Sequence, residues 1–483
     1  MESSVGYEKE LQNYIDNEKA AVKLANYVGE LLYEKGIELV LFRNHLTDTT
    51  NSEIINLHEY AEKVVGKKIF ISTTAALAEA LFDLELAPAK IDIGRLAHEW
   101  VQEGDKFNSK KDFLSNKLAD LLGNTDHKFE PRDVVLYGFG RIGRLAAREL
   151  IKQAGKGQQL RLRAIVTRNA SDDQITKRAA LLRNDSVHND FKGTVTCDYE
   201  NKALVVNGQI IKMIEASAPE DIDYTKYGIQ NALVIDNTGV FTDREALNRH
   251  KQAKGVDKVL LTAPGKEIPN IVYGINHFDL DIEGESIFSA ASCTTNAISP
   301  ILKVINDKFG VEKGHIETVH AYTNDQNLLD NFHKKPRRGR SAAINMVITS
   351  TGAGKAVTKV IPDLQDKLTA NAVRVPTPNG SLAILNLTIN KEVSLEEVNG
   401  VVKDAALNGN LVNQIFYSID QELVSNDIIG NTCCSVFDAP ATLVSPDKKN
   451  IVLYTWYDNE YGYTKQVIRL AKYIAKVRRL IYY

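Results

Sequence analysis

The sequence predicts an α/β protein in which a mostly α-helical N-terminal region precedes a parallel-sheet domain and then a mixed α+β domain. Apolar residues recur at helical spacing over residues 1 to about 125. Beyond them, short β-branched runs alternate with helical stretches, which is typical of βαβ units. From about Ser292 onward, longer strands such as SLAILNLTINKEV accompany the helices. This change of pattern predicts the second, mixed domain.

Helical periodicity defines the N-terminal region. Its apolar positions are Val22, Ala25, Val28 and Leu32, then Ile54, Leu57, Ala61 and Val64, then Phe113, Leu114, Leu118 and Leu121. Asn51 and Ser52 are expected to cap the second helix, and Gly66 and Gly123 lie where helices would end. No group of residues in this region predicts a chemical function.

The polar stretch NTDHKFEPRD, which ends near Pro131, predicts a linker and sets the first domain boundary. We expect a helical extension with its linker over residues 1–130, a parallel-sheet domain over 131–292, a mixed domain over 293–456 and a C-terminal helix over 457–483 that packs back on the parallel-sheet domain. The extension is expected to fold separately, since every candidate motif lies beyond the linker.

The composition excludes several classes of protein. Lys and Arg number 59 against 62 Asp and Glu, so the net charge of -3 offers no basic field for nucleic acid or an anionic membrane. No apolar run approaches the about 20 residues of a membrane span, and no signal-peptide pattern is present, so we expect a cytoplasmic protein. The four cysteines form neither a disulfide framework nor a C-x-x-C site, and we expect no metal.

A glycine-rich turn follows the first strand of the predicted parallel sheet. Residues 138–143 read GFGRIG, a G-x-G-x-x-G pattern that follows DVVLY and opens a predicted helix. Gly138 permits the tight turn, Gly140 admits a pyrophosphate, and Gly143 lets the helix pack on the strand. The pattern predicts a Rossmann-type dinucleotide site, and the alternative is a βα turn without a ligand.

Cys293 and His320 are candidate catalytic residues. Cys293 lies directly before a predicted helix, whose positive end favours the thiolate. His320 in HIETVHAYTNDQ is a candidate base and ion-pair partner that would lower the pKa of the thiol further. A buried structural cysteine and a structural histidine remain the alternatives, because the sequence alone gives no geometric reason to pair the two side chains.

Six ordered motifs resemble those of glyceraldehyde-3-phosphate dehydrogenases, namely YGFGRIGR, SCTTN, TVHAYTNDQ, STGAGKAVTKVIP, VRVPTPNG and WYDNEYGY. The resemblance covers about residues 133–477 and implies that Cys293 is the nucleophile and His320 the general base. It implies that the substrate and inorganic phosphates are bound by Ser292, Thr294, Thr323, Thr351, Gly352, Arg374 and Arg338. It implies that the cofactor is bound by Gly138, Gly140, Arg141, Ile142, Gly143, Arg168, Thr238, Gly239, Thr262 and, at the nicotinamide carboxamide, Asn459.

The implied reaction is the oxidative phosphorylation of D-glyceraldehyde 3-phosphate to 1,3-bisphosphoglycerate. Attack by the Cys293 thiolate gives a hemithioacetal, His320 takes the hydroxyl proton, and hydride passes to the nicotinamide. The resulting thioester keeps the acyl group activated until phosphate attacks it. Arg374 fits this chemistry, because two anions must be bound near the reacting carbon.

Departures from the family affect the adenosine end of the cofactor site. The acidic residue that closes the second strand in NAD-selective relatives is missing, and AIVTRNAS offers Thr167 and Arg168 instead. LLDNFHKK also carries Asn and Phe where such relatives often have Leu and Pro. We therefore expect NADP to be used at a catalytic efficiency at least comparable with that of NAD. The alternative is that Asp172 or Asp173 replaces the missing acid.

Two other functions remain open. Erythrose-4-phosphate dehydrogenases share the nucleophile, although Thr323 in HAYT favours the three-carbon substrate. A non-catalytic binding or regulatory homologue would use the N-terminal helices as its interaction surface, although intact Cys293, His320 and Arg374 argue against it. The family resemblance also implies a homotetramer, since RRGRSAA resembles the loop that borders a neighbouring subunit.

Overall fold

The computed structural model describes residues 2–123 and 130–483, and the chain divides into two units. Unit 1 comprises Met1–Pro131, Ala154–Gln159 and Val477–Tyr483, and unit 2 comprises Arg132–Gln153 and Leu160–Lys476. Unit 1 is thus discontinuous in sequence. Most of the predicted linker, residues 124–129, lies outside the described residues.

Unit 1 is rich in helix, as predicted. Its helices are α1 (Glu2–Glu30), α2 (Asn51–Tyr60), α3 (Ile71–Phe82), α4 (Ile93–Glu103) and α5 (Lys110–Lys117). It also contains a sheet formed by β1 (Glu38–Leu41), β2 (Asn44–His45), β3 (Ala89–Asp92) and the C-terminal strand Leu480–Tyr482. β3 lies between β1 and the C-terminal strand and runs parallel to both. Helices and sheet share one core, which includes the fully buried Leu24, Leu39 and Phe113.

Local chemistry determines where α2 begins. The Thr50 side chain accepts a hydrogen bond from the Glu53 N–H at 3.3 Å, and the Glu53 carboxylate accepts one from the Thr50 N–H at 2.6 Å. This reciprocal pair is a capping box. The prediction of Asn51 or Ser52 as the cap was therefore wrong, because the last extended residue before the helix is Thr50.

The first sheet of unit 2 has the doubly wound topology that the sequence predicted. Its strands are β4 (Arg132–Tyr137), β5 (Leu160–Thr167), β6 (Val195–Asp198), β7 (Ala203–Val206), β8 (Gln209–Glu215), β9 (Ala232–Asp236), β10 (Val256–Leu261) and β11 (Ile287–Ser289), in the order β11-β10-β9-β4-β5-β8-β7-β6. The associated helices are α6 (Arg141–Lys152), α7 (Asp172–Arg183) and α8 (Arg244–Gln252). All strands from β11 to β8 are parallel. The order reverses at β4, and such switch points are where this fold binds dinucleotides.

The second sheet of unit 2 is mixed, as predicted. Its strands are β12 (Val311–Ala321), β13 (Val347–Thr349), β14 (Leu368–Val375), β15 (Ser381–Ile389), β16 (Ile415–Ser418), β17 (Ser435–Asp438), β18 (Leu443–Val444) and β19 (Asn450–Tyr457). The order is β13-β14-β12-β15-β19-β17-β16, with β18 on β19. The helices are α9 (Cys293–Phe309), α10 (Ala353–Val360), α11 (Leu395–Leu407) and α12 (Tyr461–Ile474). β12 pairs in parallel with β14 and antiparallel with β15, which brings three chain segments side by side.

The C-terminal helix is shorter than the predicted 457–483. Tyr457 still belongs to β19, and α12 spans only Tyr461–Ile474 before Lys476 adopts a left-handed backbone with φ 56°. α12 packs against α6, where Lys465 forms a buried ion pair with Glu149. Within the described part of the chain, no helix is long and apolar enough to cross a membrane.

Candidate active site

Cys293 is the first residue of α9. Ser292 caps this helix, since its Oγ accepts the Thr295 N–H at 3.0 Å. Ala291 has φ 54°, an uncommon backbone conformation for a residue with a side chain, at the turn that leads into the helix. The Cys293 side chain is partly exposed. The thiol therefore lies at the positive end of a helix dipole, where a negative charge is stabilised.

His320 lies on β12 close to Cys293. The His320 Nε2 atom is 3.7 Å from Cys293 Sγ, and Nδ1 is 2.7 Å from the Ala321 carbonyl oxygen. The parallel register of β12 and β14 places Arg374 beside His320. One guanidinium nitrogen of Arg374 lies 2.8 Å from Nδ1 and donates to the Ala321 oxygen at 2.7 Å. The sheet thus supplies the geometric reason for the cysteine–histidine pair.

Burial and one nearby cation determine the protonation of this pair. Burial and, to a smaller extent, the charge of Arg374 lower the pKa of His320 to about 3. Burial raises the pKa of the Cys293 thiol, whereas Arg374 lowers it. Burial and Arg374 thus favour the neutral imidazole, and the cation that lowers the pKa of the thiol in this structure is Arg374. That a protonated His320 lowers the thiol pKa further stays a prediction. In the tautomer whose Nδ1–H donates to the Ala321 oxygen, the neutral ring presents the Nε2 lone pair to the sulfur.

A cavity of about 490 Å³ opens on this pair, a volume typical of small-molecule sites. Eight residues that the sequence singled out line it, namely Arg141, Ile142, Thr262, Ser292, Cys293, His320, Thr323 and Asn459. Nine further lining residues were not predicted, namely Val187, Ala263, Pro264, Tyr322, Asn324, Asp325, Pro378, Glu460 and Tyr463. Several of these residues lie in the motifs TVHAYTNDQ and WYDNEYGY, so the motifs could have predicted them as residues of the site. Val187 belongs to no such motif.

The glycine turn fits a dinucleotide. At Gly138, with φ 93°, a Cβ would lie 2.9 Å from the Thr238 side chain, and at Gly143 it would lie 2.5 Å from the Gly138 carbonyl oxygen. At Gly140 a Cβ would meet nothing within 4 Å, so this side of the turn is open. Gly140 caps α6 without a side-chain hydrogen bond, so the first backbone N–H groups of the helix remain available to a pyrophosphate.

The Arg141 guanidinium is already engaged. It donates to Asp185 at 2.8 Å and to Glu460 at 2.7 Å. These carboxylates raise the pKa of Arg141 against the effect of burial, which alone would lower it. The contribution of this residue to an anion at the turn is therefore its backbone N–H.

The residues matched to phosphate binding lie partly outside the cavity lining. Thr294 is buried, with its hydroxyl 3.2 Å from that of Tyr457. Arg338 donates to the Thr349 hydroxyl at 3.0 Å and pairs with Asp325, which lines the cavity. The Thr351 hydroxyl accepts the Ala353 N–H at 3.2 Å, and Gly352 caps α10 without a side-chain hydrogen bond.

Comparisons with known proteins place this site in a family. Residues 132–244 match the sequence model of the glyceraldehyde 3-phosphate dehydrogenase NAD binding domain, and residues 292–459 match that of the C-terminal domain. The glyceraldehyde-3-phosphate dehydrogenase of Clostridium pasteurianum is 41% identical over 351 residues, which cover 72% of this chain and 99% of that protein. The chain belongs to the glyceraldehyde-3-phosphate dehydrogenase family. It is an oxidoreductase of that family with a Rossmann NAD-binding domain.

The family match differs in extent between relatives. Glyceraldehyde-3-phosphate dehydrogenase 1 of Bacillus subtilis (strain 168) is 42% identical over 344 residues, 71% of this chain and 98% of the relative. A glyceraldehyde-3-phosphate dehydrogenase-like protein of Pseudomonas aeruginosa (strain UCBPP-PA14) is 47% identical over 455 residues, 93% of this chain and 98% of the relative. A match of that length includes most of the N-terminal region, so this family member shares its extension with the Pseudomonas protein.

The residues that the sequence assigned to the adenosine end of the dehydrogenase's cofactor site lie at the end of β5 and just beyond it. Arg168 is exposed there, and the Thr167 hydroxyl donates to the Asn169 carbonyl at 3.0 Å. Asp172 pairs with Lys202 at 2.6 Å, and Asp173 pairs with Lys177 at 2.6 Å. Thr238 and Gly239 follow β9 on the other side of the glycine turn, and the Thr238 hydroxyl is held by Asp236 at 2.7 Å.

Proposed function

We propose that this family member is a phosphorylating dehydrogenase that oxidises D-glyceraldehyde 3-phosphate to 1,3-bisphosphoglycerate with reduction of NAD or NADP. The observation that carries the proposal is the 3.7 Å approach of Cys293 Sγ to His320 Nε2. The pair faces a cavity that Asn459 and the helix start at Arg141 also line. The nucleophile, the base and the glycine turn that is proposed to bind the cofactor therefore line one cavity. Acyl transfer coupled to hydride transfer requires such an arrangement.

Cys293 and His320 share the proton transfers of the reaction. The thiol proton passes to His320 Nε2, and the sulfur adds to the aldehyde carbon. The protonated imidazole then gives its proton to the new oxygen, which completes the hemithioacetal. Burial and Arg374 favour the neutral imidazole, so the ring returns to its base form once this proton is released.

Oxidation follows at the same carbon. A bound nicotinamide supplies the hydride acceptor. His320 removes the hydroxyl proton as the hydride leaves, which produces a thioester on Cys293. Inorganic phosphate attacks the thioester carbonyl, the C–S bond breaks, and the Cys293 thiolate departs. The backbone N–H of Cys293 at the start of α9 is positioned to stabilise the oxyanion formed in each addition.

The phosphate group of the substrate and inorganic phosphate are anions, which cationic side chains and helix N-termini can bind. Arg374 lies behind His320, and its charge favours both anions and the thiolate. For the remaining contacts we propose the residues matched in the sequence, namely Ser292, Thr294, Thr323, Thr351, Gly352 and Arg338. The start of α10 supports this set, because Gly352 has no capping side chain and the N–H groups that follow Ala353 suit a phosphate.

NADP use is part of the proposal. Exposed Arg168 directly follows β5, where an acid would repel a 2′-phosphate. Asp172 and Asp173, the alternatives for that acid, each pair with a lysine. Arg168 is an exposed cation beyond this end of the strand and suits a 2′-phosphate.

A homotetramer is also proposed. Several large apolar side chains near the RRGRSAA stretch are exposed, namely Leu328, Leu329, Phe332, Ile344 and Met346. An apolar group of this kind is typical of a surface that another subunit covers. Light scattering after gel filtration tests the assembly, and a monomer at micromolar concentration would contradict it.

A substrate panel tests the proposed reaction. D-Glyceraldehyde 3-phosphate and erythrose 4-phosphate are each supplied with NAD or NADP, with phosphate present or absent. We expect the three-carbon substrate to be preferred and repeated turnover to require phosphate. Preference for erythrose 4-phosphate would support the related dehydrogenase instead. Cofactor binding without oxidation of either aldehyde would support a non-catalytic homologue.

A further inference from the structure

Ser381 links the base and the proposed nicotinamide contact through one hydroxyl. It is the first residue of β15 and is fully buried. Its Oγ accepts the backbone N–H of Ala321 at 3.1 Å and donates to Asn459 Oδ1 at 2.7 Å. The Ala321 N–H belongs to the peptide bond that joins this residue to His320. The hydroxyl therefore connects the two chain segments that contribute His320 and Asn459 to the lining of the cavity.

The direction of these hydrogen bonds follows from the chemistry of the groups. A backbone N–H can only donate, so Ser381 Oγ must accept from Ala321. The single hydroxyl proton is then free for Asn459, whose amide oxygen is the acceptor. This arrangement occupies Oδ1 of Asn459 and leaves its Nδ2 hydrogens for a partner in the cavity that Asn459 lines.

The backbone on both sides of Asn459 is held independently. The Asp458 carboxylate accepts the N–H groups of Glu460 at 3.0 Å and Tyr461 at 2.8 Å. Glu460 is itself paired with Arg141 at the glycine turn. The remaining freedom of Asn459 is rotation of its side chain, and a half-turn would exchange the amide nitrogen and oxygen.

We propose that Ser381 is a positioning residue that selects one amide orientation of Asn459, with Nδ2 directed at the carboxamide oxygen of the nicotinamide. The inference rests on the proposed function, since it takes a nicotinamide dinucleotide as the ligand. Without the hydroxyl, Asn459 Oδ1 is equally able to face the carboxamide oxygen, where two acceptors repel each other. Ser381 acts through Asn459 and does not touch the ligand.

The test measures the Kd of NAD for the full chain by quenching of protein fluorescence, without any substrate. Ser381→Ala is expected to weaken binding about tenfold, the size of one buried hydrogen bond. Thr455→Val is the matched control, and it should stay within about twofold of the unmodified chain. Thr455 is a buried residue of the neighbouring strand β19, and within residues 2–123 and 130–483 its hydroxyl has no hydrogen-bond partner.

A double-mutant cycle separates positioning from a general structural effect. In an Asn459→Ala background, Ser381→Ala should change the Kd by less than about twofold, because the amide that it orients is gone. The inference is overturned if Ser381→Ala binds NAD with the Kd of the unmodified chain. It is also overturned if Ser381→Ala weakens NAD binding just as much in the Asn459→Ala background, or if Thr455→Val weakens NAD binding as much as Ser381→Ala does. Should Ser381→Ala fail to fold, Ser381→Cys replaces it, since a thiol of similar size is only a weak donor.

The cycle also distinguishes this inference from the proposed function. An unmodified chain that binds NAD but oxidises no glyceraldehyde 3-phosphate overturns the proposed reaction, and the Kd cycle still decides the role of Ser381. An unmodified chain that binds neither NAD nor NADP overturns both. An active unmodified chain whose Kd is insensitive to Ser381→Ala overturns only the positioning role.

Discussion

At the scale of single residues, opposing effects act on the Cys293 thiol. Burial raises its pKa, whereas Arg374 and the first N–H groups of α9 lower it. His320 remains neutral because burial and Arg374 both disfavour its charge. The site therefore combines a neutral base with a fixed cation, and removing either group should have a different consequence.

The nucleophile is the first residue to test. Cys293→Ser should abolish aldehyde oxidation, because a hydroxyl is far less acidic than a thiol and forms no thioester. The Kd of NAD should stay within about twofold, since Cys293 forms none of the proposed cofactor contacts. Cys197→Ser, at a partly exposed cysteine on β6, is the control and should keep full activity. Measurable steady-state oxidation by Cys293→Ser would show that another group is the nucleophile.

Arg374 sets the pH dependence of thiol reactivity. A nearby cation favours the thiolate, so Arg374→Leu should raise the pKa of Cys293 and move the alkylation profile up by about one to three pH units. Iodoacetamide rates measured between pH 5 and about 10 check this shift. Arg249→Leu, which removes a surface arginine paired with Glu220, is the control. An unchanged alkylation profile in Arg374→Leu would mean that its charge does not reach the sulfur.

The sequence could predict which residues form the site where those residues belong to a recognised motif. Cys293, His320 and Asn459 stand in ordered motifs, and the structure puts all three on one cavity. Ser381 could not be singled out, because its role depends on β15 pairing with β12 rather than on neighbouring sequence. The direction of the His320 pKa shift also depends on Arg374, a partner from another strand that the sequence alone does not place beside it.

At the scale of elements, the turn after β5 determines the proposed cofactor preference. Arg168→Asp should shift preference from NADP toward NAD, because it removes a pairing worth roughly 1 to 3 kcal/mol and adds a repulsion. The ratio of kcat/KM for the two cofactors checks this. If the unmodified protein discriminated against NADP about a thousandfold, or about 4 kcal/mol, the role of Arg168 would be wrong and an acid must face the ribose.

Element prediction succeeded for long periodic segments and failed for short or terminal ones. Strand β4, the glycine turn and helix α6 could be predicted from the sequence. A strand pattern of period 2 precedes GFGRIG and a helix pattern of period 3.6 follows it. The sheet of unit 1 was missed because its strands have only two to four residues and one of them lies at the other end of the chain. The end of α12 was missed because Lys476, not a glycine or proline, adopts the left-handed backbone there.

At the scale of the whole molecule, unit 1 contains the C-terminal residues Val477–Tyr483 as well as the N-terminal region. A truncation that removes unit 1 must therefore delete both segments. Arg479 is buried in unit 1, where it donates to the Gly36 carbonyl at 2.9 Å and to Glu38 at 3.1 Å. The strand Leu480–Tyr482 pairs with β3. Deleting the N-terminal region alone therefore leaves a strand without its neighbour and a buried arginine without its acceptors.

Two truncations test this organisation. Deleting residues 1–131 alone should give a poorly soluble chain, because an unpaired strand edge promotes aggregation. Deleting residues 477–483 as well should restore solubility and keep oxidation measurable, since every site motif lies in unit 2. Gel filtration and activity assays compare the two. A soluble first truncation together with an aggregated second one would contradict the assignment of the C-terminal strand to unit 1.

The central claim is that a thioester on Cys293 connects oxidation to phosphorylation, and trapping that thioester tests it most directly. The full chain is mixed with D-glyceraldehyde 3-phosphate and NAD or NADP without phosphate, quenched in acid, and the peptide containing Cys293 is analysed by mass spectrometry. We predict one acyl group on Cys293 for each cofactor reduced, released as an acyl phosphate when phosphate is added. Cofactor reduction with unmodified Cys293, or an acyl group that phosphate does not release, would contradict the account.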